Sequence, residues 1–287
     1  MLDYRKIEEL DLKLAMLGGS GIKIDNLEII PYTLEEIREY GYTNYMSNLQ
    51  WLSITIEDFL QSVEDLEKRV VLEQQRAKIK TFDFYIRLGG QNLINSLISA
   101  LTMVLRTKDI NLLDDGVLAV GFFEMGILYK DENGDIQVNE EVLESIDESE
   151  LKLIHRDNFD DIVEVIKLQN YLTKPKKKDS SEANPVDEET QRLIEDMERH
   201  RKRVEEKKNA QRRAEKGDDE DIDISDIISA VSSKSNSINK LNIWSLTLYQ
   251  MYDEYSRLEL IDNYDFSIRA MMAGAEKVDL KHWSSKI

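Results

Sequence analysis

The sequence predicts an α+β protein, mainly helical, in three parts. These are an N-terminal α+β domain with a β-hairpin over residues 1–173, a charged linker (disordered or a solvated helix) over 174–226, and a C-terminal helical interaction module over 227–287. Three observations predict it. Leu93, Leu97, Leu101 and Leu105 recur every four residues, with Ile94, Ile98 and Val104 beside them, which is the stripe of a core helix. Ile127 to Val138 sets two apolar runs around Asn133-Gly134, a pair that favours the positive φ of a tight hairpin turn. From Lys174 to Glu220 the large apolar residues are Val186, Leu193, Ile194, Met197 and Val204, too few to offset the entropy of ordering that stretch alone.

The elements follow in order. Leu27 to Ile30 reads as a strand ended by Pro31. Thr33-Leu34-Glu35-Glu36 has the form of a capping box, in which hydroxyl and carboxylate each satisfy a free backbone N–H. Its helix should run to Tyr40 and stop at Gly41, and Tyr42 to Leu52 should form another. Thr55 to Asp58 opens a helix whose amphipathic continuation is Val63 to Lys80, and Thr81 to Leu88 carries three aromatics. After the Leu93–Leu105 helix, Val117 to Phe123 reads as a buried strand, followed by the hairpin. Asp157 to Asp160 should cap a last helix reaching Leu172. In the C-terminal module, Ile224 to Val231 is a short helix and Ser232 to Asn239 a loop. Leu241 to Ile261 and Phe266 to Ala275 are two further helices. A module this small, so rich in aromatics and methionines, calls for burial against something else, either the N-terminal domain or a partner.

Charge divides along the same lines. With 57 Asp+Glu against 38 Lys+Arg, the formal net charge is −19. Residues 1–173 hold 33 acidic and 17 basic residues, whereas 174–217 hold 11 acidic and 14 basic. So acidic a chain repels nucleic-acid phosphate, and nucleic acid is not an expected partner. The absence of cysteine excludes disulfides, thiolate metal sites and a cysteine nucleophile. No run of apolar residues is long enough to span a membrane, and the charged start (MLDYRKIEELDLKLAML) fits neither a signal nor a transit peptide, so the expected setting is intracellular.

Few residue patterns in the sequence point to chemistry. His155, His200 and His282 lie in three different segments, with no pair at metal-binding spacing. Asp131, Asn133 and Asp135 alternate like calcium-loop ligands, but Gly134 stands at the fourth position and Val142 where a glutamate is needed. Gly18-Gly19-Ser20-Gly21 lacks the Lys-Ser/Thr of a phosphate loop, and Gly89-Gly90-Gln91 reads as a helix break. No enzyme activity, cofactor or metal is expected.

Three pieces resemble one family. Ile29-Ile30-Pro31-Tyr32-Thr33-Leu34-Glu35-Glu36-Ile37 with Gly41-Tyr42 and Tyr45 is similar to the opening of tail assembly chaperones of phages infecting Gram-positive bacteria. Asn242-Ile243-Trp244, Leu246-Thr247-Leu248-Tyr249-Gln250 and Tyr252-Asp253-Glu254-Tyr255 resemble the closing part of the same group. So do Ala270-Met271-Met272-Ala273-Gly274-Ala275 and His282-Trp283-Ser284-Ser285-Lys286. The resemblance implies a non-enzymatic protein of the host cytoplasm, absent from the mature virion. It would hold the tape-measure protein soluble and recruit tail-tube protein, with self-association left open. On this reading the N-terminal domain takes the client, Trp244, Tyr249, Tyr252 and Tyr255 lie on or support the tail-tube contact, and Trp283 is a further partner-binding residue. Two rival readings are a structural virion component, such as a tail completion or connector protein, and an acidic inhibitor of a host nucleic-acid-binding protein.

Overall fold

The computed structural model describes residues 2–55, 80–113, 115–173, 222–275, 278 and 280–286. The architecture is α+β and mainly helical. Strand β1 (Leu2–Asp3) pairs in parallel with β2 (Ile22–Ile24), which pairs antiparallel with β3 (Leu27–Ile29). Helix α1 (Glu9–Leu17) connects the first two strands. Ile22, Ile24, Leu27 and Ile29 are buried while Glu28 faces outward, the period of two expected of a half-covered sheet. Asp25 turns the β2–β3 corner at φ 50°, a left-handed conformation that aspartate tolerates.

Helix α2 (Leu34–Tyr40) opens on the expected capping box: Glu36 N donates to Thr33 Oγ1 (3.3 Å), and Thr33 N donates to Glu36 Oε2 (2.8 Å). Gly41 at φ 91° ends it and starts α3 (Tyr42–Leu52). The expected helix from Thr55 and its continuation to Lys80 lie outside the described residues, apart from those two end residues. The aromatic run becomes a helical turn, Thr81–Asp83, leading into a π-helical stretch, Phe84–Leu88. Phe82, Phe84 and Tyr85 from it are buried, and Phe82 and Tyr85 pack on Phe159 with ring centroids 5.2 and 5.6 Å apart. Gly90 at φ 70° then launches the core helix α4 (Gly90–Val104). Leu97 and Leu101 of the expected stripe are fully buried.

A second sheet orders β4 (Ile110–Leu112), β5 (Leu118–Val120) and β8 (Leu153–Ile154), all antiparallel, with β5 buried at the centre. The expected strand to Phe123 stops at Val120, because Gly121 turns the chain at φ 76° and Asp109 Oδ2 accepts the amides of Phe123 (2.7 Å) and Glu124 (3.0 Å). The hairpin forms as expected, with β6 (Leu128–Lys130) against β7 (Ile136–Val138), followed by α5 (Glu140–Ser145). Helix α6 (Phe159–Gln169) is buried along most of its length and touches β2 and β3. Its start differs from the sequence reading. Asn158 holds the N-cap position, but its side chain is buried and accepts from His155 N (2.9 Å) while donating to Asp25 and to Leu153 O. An inward network there outcompetes a local cap.

The C-terminal residues require a second correction. Helix α7 (Ile224–Lys234) forms, but a single helix, α8 (Leu248–Met272), replaces the expected pair. Asp262-Asn263-Tyr264-Asp265 contains neither Gly nor Pro, so nothing stops propagation through it. The helix starts later than expected because Thr247 and Gln250 form their own capping box, leaving Ile243–Ser245 as a 3-10 turn. Val231, Ile243, Leu248, Tyr249 and Met251 join the same buried cluster as α3, α4 and α6. Of the residues read as linker, 222–226 are described, and Ile224 to Asp226 already belong to α7. Residues 174–221 lie outside the described set.

Candidate docking surface

The C-terminal segment is held to the body by a polar seam and an aromatic cluster. Thr33 and Thr247 form an antiparallel bridge, and Leu34 N donates to Leu246 O (2.8 Å). Gln250 Nε2 donates to Leu17 O (2.7 Å) at the end of α1. Gly19, at φ 65°, passes so close that an added Cβ would lie 3.2 Å from that amide nitrogen. Tyr171, also in a left-handed conformation, offers its ring to Tyr249 edge-on (5.6 Å) and to Tyr252 in a stack (5.2 Å, 13°). Burial raises the pKa of both Tyr249 and Tyr252 above the usual phenol value. Burial also raises the carboxyl of Asp253, against the opposing pull of Arg257.

The residues expected to bind partners fall into two groups. Tyr249 and Tyr252 lie together against Tyr171, so their rings hold α8 to the body. Tyr255 is half-buried and packs on the same cluster. Trp244 is half-buried, with the Arg38 guanidinium 4.8 Å from its ring and its indole N–H donated to Lys240 O (3.0 Å). Trp283 lies elsewhere and is 48% exposed. Its carbonyl accepts from Arg257 (2.8 Å), as does that of Ser285 (2.9 Å), which folds the terminal residues back along α8. His282 packs its ring on Tyr264 (5.4 Å), and Lys286 Nζ comes within 4.0 Å of Glu9 on α1.

Sequence reasoning did not single out the most exposed apolar residues near this tail. Phe266 is 74% and Met272 84% exposed at the free end of α8, with Met271 and Leu280 also exposed. On α1, Leu10, Leu14 and Leu17 are exposed at helical spacing, while Leu12, Ala15 and Met16 face inward. The signal was present in Phe266-Ser-Ile-Arg-Ala-Met271-Met272, but periodicity cannot tell an apolar face that meets the core from one that does not. Flexible, polarizable methionines beside an aromatic suit a surface that adapts to a partner.

Elsewhere on the surface, a polar cleft of about 480 Å³ is lined by Asp3, Lys6, Lys23, Asp25, Asn26 and His155 among others. Beside it, Arg5 donates to Asp161 (2.9 Å), Asp25 (3.0 Å) and Asp157 O (3.0 Å), tying the first sheet to the start of α6. Among the described residues, no three His, Asp or Glu side chains are grouped to hold a metal ion. No described helix is long and apolar enough to cross a membrane.

The chain was also compared with known proteins. No curated protein and no solved structure matches it. Residues 211–287 match the model of the YomV second domain. The matched range takes in α7, the C-terminal side of the seam, all of α8 and the returning tail, so the part of the chain that carries the exposed apolar end is similar to a phage-associated domain.

Proposed function

We propose that this protein is a non-enzymatic chaperone of phage tail assembly, acting in the host cytoplasm. It holds the tape-measure protein soluble and recruits tail-tube protein. The observation that carries the reading is the exposed apolar end of α8 with the returning tail, inside the segment similar to a phage-associated domain. Phe266, Met271, Met272 and Trp283 make the recruiting contact, because Tyr249 and Tyr252 are occupied by Tyr171. The resemblance of Ile29 to Ile37 to tail assembly chaperones supports the same assignment.

The test is co-expression of the tape-measure and tail-tube proteins with the full chain. Wild type should keep the tape-measure protein in the soluble fraction and co-purify with tail-tube protein. The pair Phe266→Ser and Met272→Ser should lose the tail-tube protein while the thermal midpoint stays unchanged, since both side chains are exposed. A tape-measure protein equally insoluble with and without the chain overturns the reading. So does mass spectrometry that finds the protein in purified particles, which would make it a virion component.

A further inference from the structure

The β6–β7 hairpin carries a second feature, independent of the C-terminal end. The β6–β7 ladder pairs Tyr129 with Gln137, and the flanking bonds Asp131 N to Asp135 O (2.9 Å) and Asn139 N to Ile127 O (2.8 Å) fix which residues face inward. In an antiparallel pair, bonded and non-bonded positions alternate. Gln137 therefore spends its backbone groups on Tyr129, and the N–H and C=O of Ile136 and Val138 point away from β6. On the opposite edge, Leu128 N is already donated to Phe122 O (3.1 Å). On the β7 edge, no partner for the Ile136 and Val138 backbone stands among the described residues, and the sheet has two strands only. The Ile136 and Val138 side chains are 52% and 49% exposed and lie on the same face as buried Leu128.

A row of free donors and acceptors at strand spacing is satisfied by extended backbone and not by a helix. Apolar side chains at alternate positions of an added strand would continue the Leu128–Val138 face. Charge selects among extended partners. Residues 131–150 contain nine Asp and Glu and no Lys or Arg, with Asp131 and Asp135 at one end of β7 and Glu140 and Glu141 at the other. A second copy pairing edge to edge would bring Asp135 of one chain beside Glu140 of the other, and like charges across a ladder are unfavourable. A basic strand meets the opposite field.

We propose that β7 is a docking edge for an extended basic peptide segment, apolar at every second position, which adds to the hairpin as a third strand. The probe is an end-capped synthetic peptide of alternating Val and Lys, titrated against the full chain by fluorescence anisotropy. A peptide of alternating Val and Glu is the control. Wild type should bind the Val/Lys peptide, more weakly as salt rises, and should not bind the Val/Glu peptide. Val138→Pro removes an outward N–H and leaves the Tyr129–Gln137 pair intact, and proline is tolerated on edge strands. It should weaken binding about tenfold. Glu140→Gln with Glu141→Gln leaves the ladder untouched and should also weaken binding. No binding by wild type, equal binding of both peptides, or unchanged affinity in both variants overturns the proposal. Self-association of wild type that Val138→Pro abolishes also overturns it, and assigns the edge to a second copy.

Discussion

Arg106, just past the end of α4, is tied to the stretch from Pro31 to Glu36 by several contacts of one side chain. Its guanidinium donates to Glu36 Oε1 (2.5 Å) and Oε2 (3.1 Å) and to Pro31 O (3.3 Å), and it lies 4.2 Å from the centre of the Tyr32 ring. The planar fork explains why arginine stands here, since a lysine ammonium cannot hold both carboxylate oxygens while stacking on a ring. Glu36 is also the reciprocal half of the α2 capping box, so one carboxylate serves a helix start and a long-range ion pair. The Arg106 bonds hold the Glu36 carboxyl below its usual value, with the Thr33 amide helping. The sign follows from linkage. A carboxyl depressed in the folded state contributes stability that is fully present above the unfolded pKa, about 4.3, and is lost as pH falls through the folded value. Glu36→Gln should therefore lower the urea midpoint at neutral pH, and its deficit should shrink as the pH is taken below the ordinary glutamate range. A deficit constant across that range would assign the loss to packing.

Single elements show where the sequence could be read and where it could not. The capping boxes at Thr33 and Thr247 obey the same rule, yet of these two only Thr33 was legible. Thr33 follows Pro31, which ends the strand, whereas Thr247 sits inside the apolar run Leu241 to Leu248, which has helical spacing of its own. Thr247→Ala removes the bond from Gln250 N and should cost about 1 kcal/mol. Thermal unfolding by circular dichroism measures it, and a change within error would mean that tertiary contacts alone fix the start of α8. The long stripe of α4 and the Asn133-Gly134 turn were legible because each is a local pattern with one good solution. Strands of two or three residues, such as β1, β4 and β8, are too short for a period of two to register. Helix α1 hid for a different reason: its leucines face both ways, so neither side stands out as a core stripe. Among the docking aromatics, type and spacing were legible but destination was not. Tyr171, whose ring takes up Tyr249 and Tyr252, lies beyond the linker in sequence.

At the scale of the whole molecule, one buried cluster draws side chains from both sides of residues 174–221. Trp51 on α3 and Trp244 beside α8 can report on the two sides separately. In urea, chains retaining only one of these tryptophans should give coincident transitions if that cluster melts as a unit. An earlier transition at Trp244 would make the C-terminal segment an independent body docked on the rest. Acidity is also distributed with purpose in the proposed division of labour. The N-terminal part carries most of the negative charge, while residues 240–287, with seven acidic and six basic residues, come close to balance. A near-neutral apolar end can meet a partner with less charge repulsion than the N-terminal part would impose.

The seam at Thr33 and Thr247 has a consequence in time. The bond from Gln250 to Leu17 closes a sequence separation of 233 residues, so these contacts are among the last that a growing chain can make. At roughly 5–20 residues per second, the ribosome releases Leu34 and Leu17 on the order of ten seconds or more before Leu246 and Gln250 exist. During that interval the body is synthesised with its docking site uncovered. A ribosome-bound chain stopped before residue 222 therefore offers Tyr171 and the edge at Leu34 to anything nearby. The nascent protein has a different binding surface from the finished one.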